Sequence, residues 1–493
     1  MILPPDKKPT PPPFALEVLR RLPLAEAFYS VFGYTASDAI LDYLFESHRG
    51  RCYQDKLSFA ELVGVIADAL TRYKGRGRAA ILDALQRQQL SCQVRAVYRK
   101  LGRLPLPLAE AFLSSLTARL RPLFPAGLYR TELPASLVGL AVVVLDGKKI
   151  KKVAKRLLAA RGVAGKLFGG KILAAYLPAE GLAVALAADP DGEANDIRLM
   201  PRVMPLARQA VAGPRLWVAD RQFADLEQPR RFTEEEGDHF LIRYSKNTSF
   251  HPDPERAASA GRDEQGRTFR QEWGWLGAVG QGERRLYVRR ITLERPGEEA
   301  VAVITDLLDE RQYPAEDLLA VYLTRWQIEN VFQQITEVFE LRHLIGCTPQ
   351  ATVFQASLCL VIYNVLQLVR GYIALGQAEP TPVATLSAEM IFEDMKKDLV
   401  SLHEVLSVEE LLGCLSVPSS AEQLKERLAG LLGGLWSPRW KKVVNKKPRP
   451  HKAKAKQSGA HTSVHKVLEE AKQRRPPKQP RQKQETIPPA KRE

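Results

Sequence analysis

The sequence predicts a mixed α/β protein, a sheet bracketed by helices, with a basic tail appended. Three observations carry this. The run Leu137–Asp146 is continuously apolar and β-branched and ends in an acid, as a strand buried on both faces does. Apolar residues at 59–70 and 108–120 recur at helical spacing. Charge is concentrated at one end: from Ser437 to Glu493 there are 18 Lys and Arg against 4 Asp and Glu, a net +14 out of +16 for 493 residues.

Taken in order, residues 1–13 are a proline-rich lead and read as disordered. Residues 14–130 read as helices, with Phe59, Leu62, Val63, Ile66, Ala69 and Leu70 forming one stripe and Leu108, Phe112, Leu113, Leu116 and Leu120 another. Arg72, Lys74, Arg76, Arg78, Arg95, Arg99, Lys100 and Arg103 give this stretch a basic face, either a DNA-binding surface or an ordinary solvated one. After the strand at 137–146, Lys171–Leu177 and Gly181–Ala188 form a hairpin about Pro178-Ala179-Glu180-Gly181. Asp196–Ala212 is helix-like, although Pro201 and Pro205 interrupt it. Arg215–Asp220 is a second buried strand ending in an acid, and His239–Tyr244 a further one. Residues 245–299 are polar, glycine-rich and alternating, which predicts a β insertion. Ala300–Thr305 is one more strand, and a long amphipathic helix runs from Ala315 to about Leu341. Helices fill 371–436, and the tail 437–493 is disordered except for a weak helix at Val464–Gln473.

Several function classes drop out. The cysteines Cys52, Cys92, Cys347, Cys359 and Cys414 are scattered without a C-x-x-C, which speaks against a zinc finger or a disulfide framework. The first residues lack the apolar core of a signal peptide. Ala351–Val369 is the most membrane-like stretch, but Gln355, Asn364 and Gln367 mark it as a buried helix. No P-loop, dinucleotide fingerprint or G-x-S-x-G is present. The basic tail suits a polyanion, chiefly nucleic acid.

Asp146 and Asp220 stand at the carboxyl ends of buried strands, where open α/β sheets place functional groups. Neighbouring carboxylates repel unless a cation neutralises them, and an all-oxygen site suits Mg²⁺ or Mn²⁺. Two such ions drive phosphoryl transfer, and a third carboxylate normally completes the site. Tyr322, Arg325 and Glu329 are offset by three and four residues and share a helix face. Taken alone, Arg325 and Glu329 read as a surface ion pair; beside Asp146 and Asp220 they read as the missing part of a site.

Leu145-Asp146-Gly147, Val218-Ala219-Asp220-Arg221 and Tyr322-x-x-Arg325-x-x-x-Glu329 together resemble the DDE transposases of bacterial insertion sequences. More narrowly they resemble the branch with a Y-R-E-K signature, the fourth insertion-sequence family. The second gap, 109 residues, exceeds the first, 74, as in that branch, and the resemblance covers about 135–370. It implies an RNase H-like catalytic core in which Asp146, Asp220 and Glu329 hold two Mg²⁺ or Mn²⁺ ions. Tyr322 and Arg325 would hold a DNA phosphate, and Trp273 or Trp275 of the insertion would stack on a flipped base unless they belong to its core. The implied activity is strand cleavage at inverted-repeat ends, then strand transfer by a homodimer in a synaptic complex, in a cytoplasmic, nucleoid-associated setting. One departure stands out: the signature lysine seven residues after the glutamate is Thr336 here, and Lys148 or Lys149 would have to substitute. That leaves two other readings open, a catalytically silent DNA-binding derivative and a structure-specific nuclease of the same fold.

Overall fold

A computed structural model describes residues 12–125, 128, 132–278, 285–295, 297–415, 418–442 and 460–474. The N-terminal stretch forms α1 (Pro13–Arg20), α2 (Pro23–Thr35), α3 (Asp38–His48), α4 (Phe59–Thr71), α5 (Gly77–Gln86), α6 (Val94–Leu101) and α7 (Leu106–Leu120). The strands are β1 (Ala141–Lys151), β2 (Lys166–Leu177), β3 (Leu182–Asp189), β4 (Arg215–Ala219), β5 (His239–Arg243), β6 (Phe250–Pro252), β7 (Ser259–Arg262), β8 (Thr268–Leu276), β9 (Leu286–Leu293), β10 (Val301–Thr305) and β11 (His461–Ser463). The remaining helices are α8 (Met200–Ala210), α9 (Gln228–Phe232), α10 (Ala315–Thr324), α11 (Trp326–Glu337), α12 (Pro349–Leu375), α13 (Ala388–Val405), α14 (Val408–Cys414), α15 (Ala421–Leu432) and α16 (Val464–Gln473).

The sheet core runs β3-β2-β1-β4-β5. β1–β2 and β2–β3 are antiparallel; β1–β4 and β4–β5 are parallel. This is the RNase H-like order that the resemblance implies. Alternation along β1 explains its continuous apolar run. Val142 and Val144 pack into the cluster that contains α7, α10, α11 and α12, whereas Val143 and Leu145 pack against α8 on the other face. A strand covered on both sides has no polar face to expose. β1 also extends five residues past Asp146, because it goes on pairing with β2 after β4 has ended.

The insertion does not form a separate lobe. β10 pairs with β5, β9 with β10, β8 with β9, and β6 and β7 with β8, so the insertion prolongs the same sheet. Within the tail, the predicted helix at 464–473 is present as α16, and a short strand that the sequence reading did not include stands before it. β11 precedes α16 and pairs parallel with β2, covering an edge of that strand. Lys466 of α16 is paired with Glu193 at 2.6 Å. The lead at 1–11 and the tail at 443–459 and 475–493 lie outside the described residues.

Among the described residues one helix, α12, is long and apolar enough to cross a membrane, and 94% of its apolar window is buried inside the fold. Its polar residues are satisfied there. Gln355 Oε1 accepts from Ile345 N at 2.9 Å, Ser357 Oγ donates to Ala109 O at 2.7 Å, and Asn364 Nδ2 donates to Ala183 O at 2.8 Å. Phe354 of α12 meets Phe59 of α4 and Phe112 of α7 at centroid distances of 5.6 and 5.2 Å. The N-terminal helices therefore share one apolar core with the sheet. α4 begins at a capping box, Ser58 with Glu61, which fixes its start.

The C-terminal helices are locked on by His403 of α13, whose ring hydrogen-bonds with the Tyr29 hydroxyl of α2. Burial, reinforced by Arg72 and Arg87, lowers His403 from 6.5 to about 3. Its folded pKa thus lies below its unfolded one. Its contribution is complete above pH 6.5 and is lost as pH falls toward 3, by about 1.4 kcal/mol per pH unit. Going from pH 7 to 5 should cost about 2 kcal/mol, and His403→Gln should flatten that part of a urea-midpoint profile against pH. An unchanged slope in the variant would assign the pH dependence elsewhere.

Candidate active site

The register of β1 and β4 brings two acids level. Val144 lies opposite Val218, the last pair of the register; Asp146 follows two residues on within β1, and Asp220 comes one residue past the end of β4. Strand alternation sends Asp146 to the face carrying α11, since Val144 already points there, and Asp220 lies close enough to act on the charges of Tyr322 and Arg325. Asp146 Oδ1 accepts from Gly147 N at 2.9 Å. Burial pushes the Asp146 carboxyl up to about 7; nearby Glu329 and Asp196 add to the rise, and Arg325 and the Gly147 amide oppose it. Asp220 Oδ1 is buried with no hydrogen-bond partner among the described residues.

The single long helix expected from 315 to 341 is broken at Arg325 into α10 and α11. Arg325 N bonds to Tyr322 O at 3.1 Å and Ile328 N to Arg325 O at 3.2 Å, so one tight turn replaces a turn of α-helix. The buried Arg325 guanidinium links the two elements of the site. It lies 3.7 Å from Asp146 Oδ2 and donates to Glu329 Oε1 at 2.8 Å. Burial opposes its charge, but Tyr322, Asp146, Asp220 and Glu329 together hold its pKa above the usual value. Tyr322 is buried beside it, and that burial, with Asp220 adding, pushes its hydroxyl up to about 12. The i,i+4 pair of Arg325 and Glu329 is therefore one arm of a buried cluster with Asp146 rather than a surface ornament. Glu329 is its most exposed carboxylate, 38% accessible.

Alternation also sends Lys148 toward α11. Its amine donates to Phe332 O at 3.0 Å, and Thr336 Oγ1 donates to the same carbonyl at 2.6 Å. Lys148 from β1 thus reaches the helix one turn before the position where the signature lysine is missing. Burial, with Lys151 adding, pulls its amine down to about 8. Asp146, Glu329, Phe332, Thr336 and the basic run 148–152 line one cleft of about 640 Å³.

Gly147 faces the opposite side of the sheet, where Asp196 is packed directly against it. Asp196 is buried, paired with Lys171 Nζ at 2.5 Å and bonded by Gln222 Nε2. The sequence does not single out Asp196 among the acids of this stretch. Its neighbours Asp189, Asp191 and Glu193 form a turn: Asp189 accepts from Asp191 N and Asp191 from Glu193 N. Asp225 accepts from the amides of Glu227 and Gln228 at the start of α9, as a capping residue does.

The two tryptophans of the insertion differ. Trp273 is 2% exposed, donates from Nε1 to Leu308 O at 2.9 Å, and has Arg256 stacked 3.8 Å from its ring centre, so it is core. Trp275 is partly exposed, edge-on to Tyr287 at 5.0 Å. A third, Trp326, stands 55% exposed beside Arg325, an aromatic surface that the sequence motif contained without marking.

Among the described residues no three His, Cys, Asp or Glu side chains already converge on a point that could hold an ion. The donors nonetheless suit a hard divalent cation. They are all carboxylate oxygens, one is buried without a partner, and the neighbouring acid is pushed toward its neutral form by burial, with Glu329 and Asp196 adding.

Residues 139–365 match the family model of the transposase DDE domain, a span that includes Asp146, Asp220 and Glu329. Over 93 residues, 19% of the chain, the sequence is 27% identical to "Putative transposase y4zB" of Sinorhizobium fredii. The chain spans about a quarter of that relative's length, 25%. A cryo-EM structure of a piggyBac transposase synaptic complex with hairpin DNA is loosely similar, with a TM-score of 0.37 and 10% identity over 82% of this chain and 85% of that one, too remote to carry an argument. Residues 139–365, with the acids that the sheet aligns inside them, are therefore a transposase DDE domain.

Proposed function

We propose that the chain is a DNA transposase of the Y-R-E-K branch, which cleaves strands at the inverted-repeat ends of its element and joins them elsewhere by a cut-and-paste reaction. The observation that carries this reading is the buried Arg325 linking Asp146 on the sheet to Glu329 on α11, with Asp220 aligned beside Asp146. Asp146, Asp220 and Glu329 are the residues that would hold Mg²⁺ or Mn²⁺, two ions in number. Bound there, such ions lower the pKa of an attacking water or 3′-hydroxyl and stabilise the departing oxygen.

The chain's own side chains supply position. Arg325 is fixed by burial and by Asp146 and Glu329, so its fork can meet a phosphate with little loss of freedom. Tyr322 keeps its proton at neutral pH and serves as a hydrogen-bond donor. Lys148 takes the phosphate-holding role that Thr336 cannot. Trp275 is the residue of the insertion left to stack on an extruded base, since Trp273 is enclosed. The working unit is a homodimer pairing two DNA ends, in the cytoplasm on the nucleoid.

The test is incubation of the full chain with a linear duplex carrying the element's own terminal repeats, with Mn²⁺ or with a chelator. Nicks at the repeat boundary with Mn²⁺ alone support the reading. Binding without cleavage would favour the alternative that Thr336 motivates, a silent DNA-binding derivative.

The tail adds a separable prediction. Residues 475–493 carry six Lys or Arg, and their removal leaves β11 and α16 in place. Duplex binding should weaken for every sequence, and its slope against log salt should flatten by as much as about five. An unchanged slope would show that the tail is not a DNA contact.

A further inference from the structure

The catalytic cleft does not end at its own basic run. Lys152 and Arg342 also line a second cleft of about 600 Å³, whose far wall comes from the N-terminal helices through Lys74, Arg76 and Arg78, with Arg156 beside them. All six of these side chains are exposed. Among the described residues, none of Lys74, Arg76, Arg78, Lys152 and Arg156 has an ion-pair partner. The acid in the wall, Glu340, is 5% exposed and occupied by Arg342 at 3.4 Å and His343 at 3.2 Å. The sequence grouped Lys74, Arg76 and Arg78 with Arg72 and Lys100, but the structure separates them. Arg72 is buried on Asp68 at 3.1 Å, and the Lys100 amine is spent on Leu57 O. What remains in the cleft is positive charge that nothing in the described fold neutralises.

The cleft is also built at a cost in backbone strain. Four non-glycine residues among those described have left-handed backbones, and three of them, Lys74 (φ 50°), Lys152 (φ 67°) and Glu340 (φ 61°), line it. Such strain persists where the surroundings impose it and gathers at functional sites. Gly75 (φ 75°) lets the α4–α5 turn close onto the chain after α11, since a Cβ there would lie 2.5 Å from that of His343. His343 Nδ1 lies 3.1 Å from Lys74 O across the same junction. The arrangement holds unpaired cations from distant parts of the chain along one path.

We propose that this second cleft carries the sugar–phosphate backbone of the duplex flanking the cut site, so that one DNA molecule runs from Asp146 and Glu329 across Lys152 and Arg342 to Lys74, Arg76 and Arg78. This rests on the transposase reading for its choice of DNA. Contacts of this kind position the duplex without reading its sequence. They release counterions, about 0.9 per neutralised phosphate in the slope of log affinity against log salt.

The test uses the full chain and a fluorescent 40-base-pair duplex of arbitrary sequence, with affinity measured at several salt concentrations. In the triple variant Arg76→Gln/Arg78→Gln/Arg156→Gln the slope should fall by about three. The charge-keeping variant with lysine at the same three positions should restore it, which separates loss of charge from misfolding. A control removing three exposed cations outside the cleft, Arg20, Arg21 and Lys397, should leave most of the slope. An unchanged slope in the first variant, or an equal fall in the control, would overturn the proposal. Because the readout is binding alone, it remains decisive if the chain cuts nothing: a fall in slope without any nicking would keep the DNA path and reject the reaction.

Discussion

Glu329→Gln is expected to reduce the rate of metal-dependent nicking at repeat ends by about 10³-fold or more while duplex binding is kept. Glutamine preserves the length of the side chain and removes only its negative charge, which is the property a divalent ion requires. The fold should tolerate the change. Glu329 is the most exposed member of its cluster, and the ion pair it forms with Arg325 is worth at most about 1 kcal/mol at such exposure. Arg325 keeps Asp146 as a partner. Loss of an acid beside the DNA path should, if anything, tighten binding. Single-turnover nicking and a binding titration on the same preparation separate the two effects. Nicking at the native rate would remove Glu329 from the catalytic site.

Gly147→Ala is expected to destabilise the chain by about 2–4 kcal/mol and to impair nicking with it. A Cβ at 147 would sit 2.2–2.4 Å from the three carboxylate atoms of Asp196. Asp196 cannot easily withdraw, because it is buried and held by Lys171 at 2.5 Å, whose amine also donates to Ala194 O at 2.7 Å. Either β1 shifts, carrying Asp146 with it, or a buried ion pair opens; overpacking and an uncompensated buried charge both cost this much. Urea denaturation measures the loss. Stability within about 0.5 kcal/mol of the native chain would show that the contact relaxes freely.

These two residues also mark what the sequence could and could not disclose. The sheet was legible because β1 and β4 are buried on both faces, so their apolar runs are continuous and end near their acids. α12 was legible as a buried helix because its polar residues, Gln355, Asn364 and Gln367, need partners that only a protein interior supplies. The break at Arg325 was not legible, since every residue from Ala315 to Leu341 is compatible with helix and the tight turn accompanies a guanidinium buried against acids from elsewhere in the chain. Asp196 was not legible either: its place depends on a glycine across the sheet, 49 positions away. β11 is three residues long with no strand pattern of its own, and it exists because β2 offers an unpaired edge. The cations of the N-terminal helices looked alike in sequence, and only packing distinguishes the buried Arg72 from the exposed Arg76 and Arg78.

Asp146, Asp220 and Glu329 as one divalent-ion site that cuts DNA can be probed at Asp220, whose buried Oδ1 lacks a partner among the described residues. The measurement is a Mn²⁺ titration of the native chain and Asp220→Asn, following nicking of terminal-repeat duplex and melting temperature in parallel. Mn²⁺ should switch on nicking in the native chain and raise its melting temperature, as ligand binding to a folded state must, and both responses should be lost in Asp220→Asn. Nicking that needs no divalent ion, or an unchanged Mn²⁺ response in Asp220→Asn, would contradict such a site.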